Sequence, residues 1–440
     1  MHRARSKTDD GKHFLLLCKI SALIGLAIGL TWAALFAATQ HWHQAASLAL
    51  LGLSVVPCWL IARRGHFSLG LQLTQLACMI FVIAFSLVFD TPTETVPRTT
   101  HLFLLVIALV GYMNLQRGPS LSQCALIAVC MAAFVVLAAT TPIYPFPEPV
   151  QDELHAARAW VNALLVASLL CGGILAMSAE FTKTQASREL GAALWGDQFA
   201  LFYQPQVDAQ GRLVGAEALL RWNHPKRGQI PPAEFIPMAE ASGFMPRLGN
   251  WVMQEACRTL SAWRDKPEMR EVVLAINVSA AQFLMPDFAD QVRATVRNYG
   301  VRPAMLKLEL TESVFVADID AVIRKMKALS EAGFAIALDD FGTGYSSLSY
   351  LRQLPLAQLK IDRSFVRGIT DNPRVAAVTR NIVQMGQDLD LEILAEGIET
   401  PEQLAMMQAY GCATFQGFLF SRPLPLEAFE GFARQSRQEA

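Results

Sequence analysis

Most of the charge on this 440-residue chain lies after Glu180, and the stretch before it is dominated by long apolar runs. A chain divided in this way needs two solvents, because its front half carries more continuous apolar sequence than a small protein core can use. The runs are Ile20–Thr39, Ala46–Ala62, Leu69–Phe89, His101–Leu115, Leu121–Thr140 and Trp160–Ala179. Crossing a bilayer takes about 20 such residues, so about six spans are expected, the second and fourth being short. Charge in the connections sets the orientation. Arg3, Arg5, Lys7 and Lys12, then Arg63 and Arg64, then Arg117, then Lys183 and Arg188 alternate with connections poor in Lys and Arg. The positive-inside rule places the N-terminus and everything after the last span in the cytoplasm. No acid falls deep within a run, which argues against an ion-coupled transporter. His41, Trp42, His43 and His101 mark the outer boundary, where such side chains are common anchors; a metal or pH sensor is the alternative reading.

The expected organisation is a membrane region over 1–179, a polar, helix-favouring linker over 180–198 and a second domain over 199–434. The 8 cysteines include no Cys-x-x-Cys, which supports neither a disulfide framework nor a zinc knuckle. A formal net charge of −1 gives no basic surface, so DNA or RNA binding is not expected.

From Phe199 the pattern changes to short apolar runs separated by helix-patterned segments: LVGAEALL, EVVLAINVS, MLKLELTES, FAIALDDF, QLKID, EILAEG and FQGF. About eight strand–helix steps in some 240 residues predict an α/β TIM-like barrel. The tight turn at AQGR joins FALFYQPQVD to the next run, so one strand should run antiparallel to the rest. Glu217, Asn277, Glu309, Asp339, Asp340, Lys360, Glu396 and Gln416 sit at or near the ends of these runs. In such a barrel the strand ends converge on one face, and five carboxylates there would repel one another unless cations neutralised them. The pattern therefore predicts a divalent-metal site, with two ions. Carboxylates and an amide, without Cys or His, suit Mg²⁺ or Mn²⁺.

These residues resemble the EAL-domain family of cyclic di-GMP phosphodiesterases. The signature EALLRW (Glu217–Trp222) is accompanied by YQP (Tyr203–Pro205), INVS (Ile276–Ser279), LELTES (Leu308–Ser313) and DDFGTGYSSL (Asp339–Leu348). LKIDRSFV, AEGIET and QGFLFSRPLP follow in the family's order, and the resemblance covers roughly Ser187 to Arg434. It implies an EAL-fold barrel that opens cyclic di-GMP to linear pGpG with two Mg²⁺ or Mn²⁺ ions per site. It implies that Glu217, Asn277, Glu309 and Asp339 hold one ion, and Asp339, Asp340 and Glu396 the other. Lys360 would orient or activate the attacking water, and Gln416 would hold solvent or substrate. Gln204, Arg221 and Asp362 match positions that grip the dinucleotide, and Glu312 matches the anchor of the DDFGTG loop. A homodimer through the barrel and a multi-pass place in a bacterial inner membrane, in contact with its lipid, are further implications. Three departures stand out: Ala281, Ala413 and Phe418 occupy positions where the family often has Arg, Asp and Tyr. No GG(D/E)EF signature occurs, so a companion diguanylate cyclase domain is not expected. The competing reading is a non-catalytic cyclic di-GMP receptor, disfavoured because degenerate members lose metal-site residues and this chain keeps them.

Overall fold

The structure is a computed structural model describing residues 30–64, 67–90, 92–93, 96–116, 120–140, 152–316, 318–341 and 351–438. It divides into two compact units, Met1–Phe181 and Thr182–Ala440, and the 44-residue helix Asp152–Trp195 contributes to both.

The first unit is helical among its described residues, with helices Trp42–Arg63, Phe67–Val88, Phe103–Leu115 and Leu121–Ala139 besides the long one. Among the described residues, four helices are long and apolar enough to cross a membrane: Trp42–Ile61, Ser68–Val88, Leu121–Ala139 and Ala156–Trp195. The expected fourth span forms only the shorter apolar helix Thr100–Leu115. Of the expected first span, residues 30–38 are helical, Thr39 lies in a turn, and residues 20–29 lie outside the described residues. Polar side chains tie the helices together. Asn114 Nδ2 donates to Gln123 Oε1 at 3.0 Å, and Gln123 Nε2 donates to Gln75 Oε1 at 2.8 Å, linking three helices. In apolar surroundings such bonds contribute roughly 0.6–2 kcal/mol each.

In the connection that follows the helix Phe67–Val88, Asp90 and Arg98 are buried. Asp90 Oδ2 accepts the backbone N–H groups of Thr99 and Thr100 at 2.9 and 2.6 Å, and Oδ1 accepts Arg158 Nη2 at 2.9 Å. Arg98 Nε donates to the Asp90 carbonyl at 3.0 Å, and Nη1 to the Leu137 carbonyl at 3.2 Å. Asp90 and Arg98 thus satisfy backbone groups of Thr99, Thr100, Asp90 and Leu137. His101, an expected boundary residue, is buried and stacks on Phe134 at 5.4 Å.

The second unit is a closed barrel. Strands β1 (Phe199–Asp208), β2 (Leu213–His224), β4 (Val273–Val278), β5 (Leu306–Thr311), β6 (Ala335–Phe341), β7 (Gln358–Ile361), β8 (Glu392–Ala395) and β9 (Thr414–Phe415) form the ring. β2, β4, β5, β6, β7, β8 and β9 are parallel in succession, whereas β1 is antiparallel to both β2 and β9. The strand predicted to run against the others does so. A ninth strand, β3 (Gly228–Ile230), extends β2 outside the ring. Apolar side chains of the amphipathic helices, such as Val252, Ala256, Leu260 and Trp263 of Met245–Trp263, pack on the strands. Burying side chains of this size contributes roughly 1.5–3 kcal/mol apiece, which fixes the strand positions on which a site depends. The end of the long helix is held the same way, with Leu190 and Ala193 packed against Phe199, Trp222, Phe235 and Phe244.

Candidate active site

Lys360, one residue from the end of β7, is 1% exposed and surrounded by acids. Its ammonium lies 2.6 Å from Glu309 Oε2, 2.7 Å from Glu396 Oε1, 3.0 Å from Asp339 Oδ1 and 3.7 Å from Glu217 Oε2. Register explains the convergence. Asn277 pairs with Glu309, Thr311 with Asp339 and Lys360 with Leu394, so one ring of inward positions carries the polar set. Glu396 and Gln416 follow directly on the ends of β8 and β9.

Consecutive residues of a strand face opposite ways, so Asp339 and Asp340 could not ordinarily serve one site. Here Asp340 adopts φ +54° and the β6–β7 register shifts between Leu338 and Phe341. That irregularity brings carboxylate oxygens of Asp339, Asp340 and Glu396 within 4.8 Å of one another. A non-glycine residue in this region costs about 1–2 kcal/mol, which the surrounding ladder absorbs.

Burial dominates the electrostatics. It pushes the Glu309 carboxyl well above the ordinary range, opposed by Lys360 and reinforced by Glu217 and Asp339. Burial likewise raises Glu396 to about 8, with Lys360 opposing and Asp339 and Glu217 adding to the rise. For Lys360 burial acts downward, but Glu217, Glu309, Glu396 and Asp339 outweigh it and hold the ammonium protonated. One fixed cation is thus shared by four acids.

The amide side of the site is ordered by hydrogen bonds. Asn277 Nδ2 donates to Glu217 Oε1 at 2.6 Å, and Gln416 Nε2 donates to Glu217 Oε2 at 2.6 Å and to Gln204 Oε1 at 3.1 Å. Gln206, absent from the sequence-based set, joins them by donating Nε2 to Gln416 Oε1 at 2.9 Å. Its signal was the period of two: Gln206 shares the inward face of β1 with Gln204. Arg221 and Asp362 stand apart from this network. Arg221 donates to the Leu220 carbonyl at 2.9 Å with its guanidinium over Phe202, and Asp362 caps the helix Arg363–Arg367 by accepting from Ser364 N at 2.9 Å. Glu312 opens the 3₁₀ turn Glu312–Val316 directly after β5. Of the DDFGTG loop it is expected to anchor, residues 339–341 end β6 and residues 342–344 lie outside the described residues.

The donor set fits a hard divalent cation. Five carboxylates and an amide gather with no Cys or His among them, and Glu309 Oε1 is buried without a hydrogen-bond partner.

The EAL domain family matches residues 187–423, more than half of the sequence. The chain belongs to the EAL domain family. Among curated relatives it is 43% identical over 244 residues to the bifunctional diguanylate cyclase/cyclic di-GMP phosphodiesterase MucR of Pseudomonas aeruginosa, covering 55% of this chain and 36% of MucR. It is 42% identical over 257 residues to the cyclic di-GMP phosphodiesterase NbdA of the same organism, covering 58% of this chain and 33% of NbdA. The chain therefore spans about a third of the length of these relatives. Among solved structures, the MucR phosphodiesterase in complex with c-di-GMP has a TM-score of 0.54 at 42% identity, over 56% of this chain and 99% of that one. The EAL enzyme Bd1971 with cAMP and cyclic di-GMP bound gives 0.56 at 32% identity, over 63% and 76%. Ala281 is on the short helix Ala280–Phe283, Ala413 is exposed, and Phe418 is 48% exposed beneath the Arg422 guanidinium, 4.3 Å from its ring.

Proposed function

We propose that this protein is a membrane-anchored cyclic di-GMP phosphodiesterase that hydrolyses its substrate to linear pGpG. The observation that carries the reading is the gathering of Glu217, Glu309, Asp339 and Glu396 around Lys360 in a chain of this family. Glu217, Asn277, Glu309 and Asp339 would hold one Mg²⁺ or Mn²⁺, and Asp339, Asp340 and Glu396 a second. Two such ions would offset charge on the attacking and departing oxygens and make hydroxide available near neutral pH. In the reaction a water oxygen bonds to phosphorus and one phosphorus–ribose oxygen bond breaks, opening the ring and leaving a terminal phosphate.

The chain's own residues divide the remaining work. Lys360, set among the acids, orients or activates the attacking water and offsets charge on the phosphoryl oxygens. Gln416 and Asn277 fix the Glu217 carboxylate from both sides. Gln204, Arg221 and Asp362 line the approach, where the planar Arg221 fork suits a phosphate or a guanine acceptor edge. Glu312 steadies the loop beside the acids. The apolar helices anchor the protein in the inner membrane with the barrel on the cytoplasmic side, and the barrel pairs as a homodimer.

The test is to incubate the full-length protein in detergent with cyclic di-GMP and Mn²⁺ and separate the products by chromatography. Linear pGpG is expected. Intact nucleotide that nevertheless binds would make the protein a receptor.

A further inference from the structure

Gln206 has no role in the reading above, yet it is 2% exposed and its amide ends inside the site. Four side chains are joined in sequence. Gln206 Nε2 donates to Gln416 Oε1 at 2.9 Å, and Gln416 Nε2 donates to Gln204 Oε1 at 3.1 Å and to Glu217 Oε2 at 2.6 Å. The direction of these bonds is forced by chemistry. The Glu217 carboxylate only accepts, so Gln416 must turn its NH₂ toward it, which leaves the Gln416 oxygen facing β1. An oxygen buried there needs a donor, and Gln206 supplies it. Rotating the Gln416 amide by a half turn would set its oxygen against the carboxylate and its NH₂ against the NH₂ of Gln206. Both contacts are repulsive, so the pair locks one orientation.

The backbone is shaped for this. Gln206 pairs across the strands with Gly215, and a Cβ at that position would stand 3.0 Å from Gln206 Oε1 and 3.0 Å from the Val273 carbonyl. A larger residue at 215 would push the Gln206 amide off its line. Gly215 thus keeps open the lane through which Gln206 reaches Gln416.

We propose that Gln206 is a positioning residue that acts through Gln416 to hold the Glu217 carboxylate in its working orientation. The inference rests on the phosphodiesterase reading for its kinetic consequence, but not for its structural one. Loss of a group bonded directly to a metal-binding side chain, as Gln416 is to Glu217, typically costs about 10–100-fold in metal affinity or activity, and Gln206, one bond further out, belongs at the lower end of that range.

The test is a double-substitution cycle on the full-length protein in detergent, using Gln206→Met, Gln416→Ala and the two together. Each protein is read twice, by Mn²⁺ titration without nucleotide and by kcat and KM with cyclic di-GMP. Gln206→Met is expected to weaken Mn²⁺ binding and lower kcat by about tenfold, with KM nearly unchanged. In the Gln416→Ala background the same change is expected to do nothing further, because the residue through which it acts is gone. An equal penalty in both backgrounds, or none in either, would overturn the proposal. If Gln206→Met loses its thermal transition, Gln206→Leu takes its place, since it too offers the Gln416 oxygen no donor; wild-type behaviour in Gln206→Leu would refute the idea. If the unsubstituted protein hydrolyses nothing, the enzyme reading fails and the Mn²⁺ titrations alone decide the role of Gln206.

Discussion

Lys360 does two jobs at once, and they can be separated. It balances acids from β2, β5 and β6 and from the end of β8, so Lys360→Met should leave four carboxylates facing one another. In a Mn²⁺-free buffer the variant is expected to melt lower than wild type, and Mn²⁺ should raise its Tm by more, because the ion replaces a missing charge. A scan with and without Mn²⁺ checks this; equal Mn²⁺ shifts in the two proteins would contradict it. Glu217→Ala should abolish turnover by more than the roughly 10–100-fold seen on losing a group further from a metal, while the far-ultraviolet circular dichroism stays unchanged. The acids were legible in the sequence because charged residues have little other reason to recur at strand ends. Gln206 was not singled out, although it follows Gln204 at the strand period of two, since an amide in a strand reads equally well as filler. The left-handed turn at Asp340 was invisible for a different reason: Asp tolerates many backbone conformations, and neighbours choose among them.

Strand periodicity gave β1 its observed limits. Gly333 takes φ +90° after the helix Ile319–Glu331, as its position past the last apolar turn requires. β3 was missed, because three residues are too few to show alternation and its pairing is imposed by the hairpin with β2. Packing of the elements also sets an alkaline limit. Burial raises the thiols of Cys257 and Cys412 from 9.0 to about 12. The folded state therefore keeps protons that the unfolded chain begins to release above pH 9, so stability is complete below that pH and falls as pH rises toward 12. Each thiol accounts for about 1.4 kcal/mol per pH unit within that window. Urea titrations from pH 8 to 10.5 should show the decline, and Cys257→Ala should make it shallower whatever its effect at pH 8; parallel slopes would count against the assignment.

At the scale of the molecule, the charge distribution foretold two kinds of fold but not the buried pair Asp90–Arg158, whose partners lie 68 residues apart in sequence. Asp90→Ala would strand a guanidinium that is 4% exposed, at a cost of about 3–5 kcal/mol. Thermal unfolding in detergent should show the loss, and Asp90→Ala with Arg158→Met should recover most of it; no recovery would mean the pair is not what holds that end together. The reversed first strand has a consequence for how the chain is made. Val207 aligns with Phe415, and Asp208 with Thr414, so one margin of β1 stays unpaired until some two hundred further residues have left the ribosome. Through that interval the nascent domain presents an open edge, and Gln204 waits for its partner Gln416. Chains arrested before Thr414 should be captured by chaperones, whereas those long enough to lay down β9 and then Leu424, which exchanges two backbone hydrogen bonds with Tyr203, can shut the ring and complete its mouth.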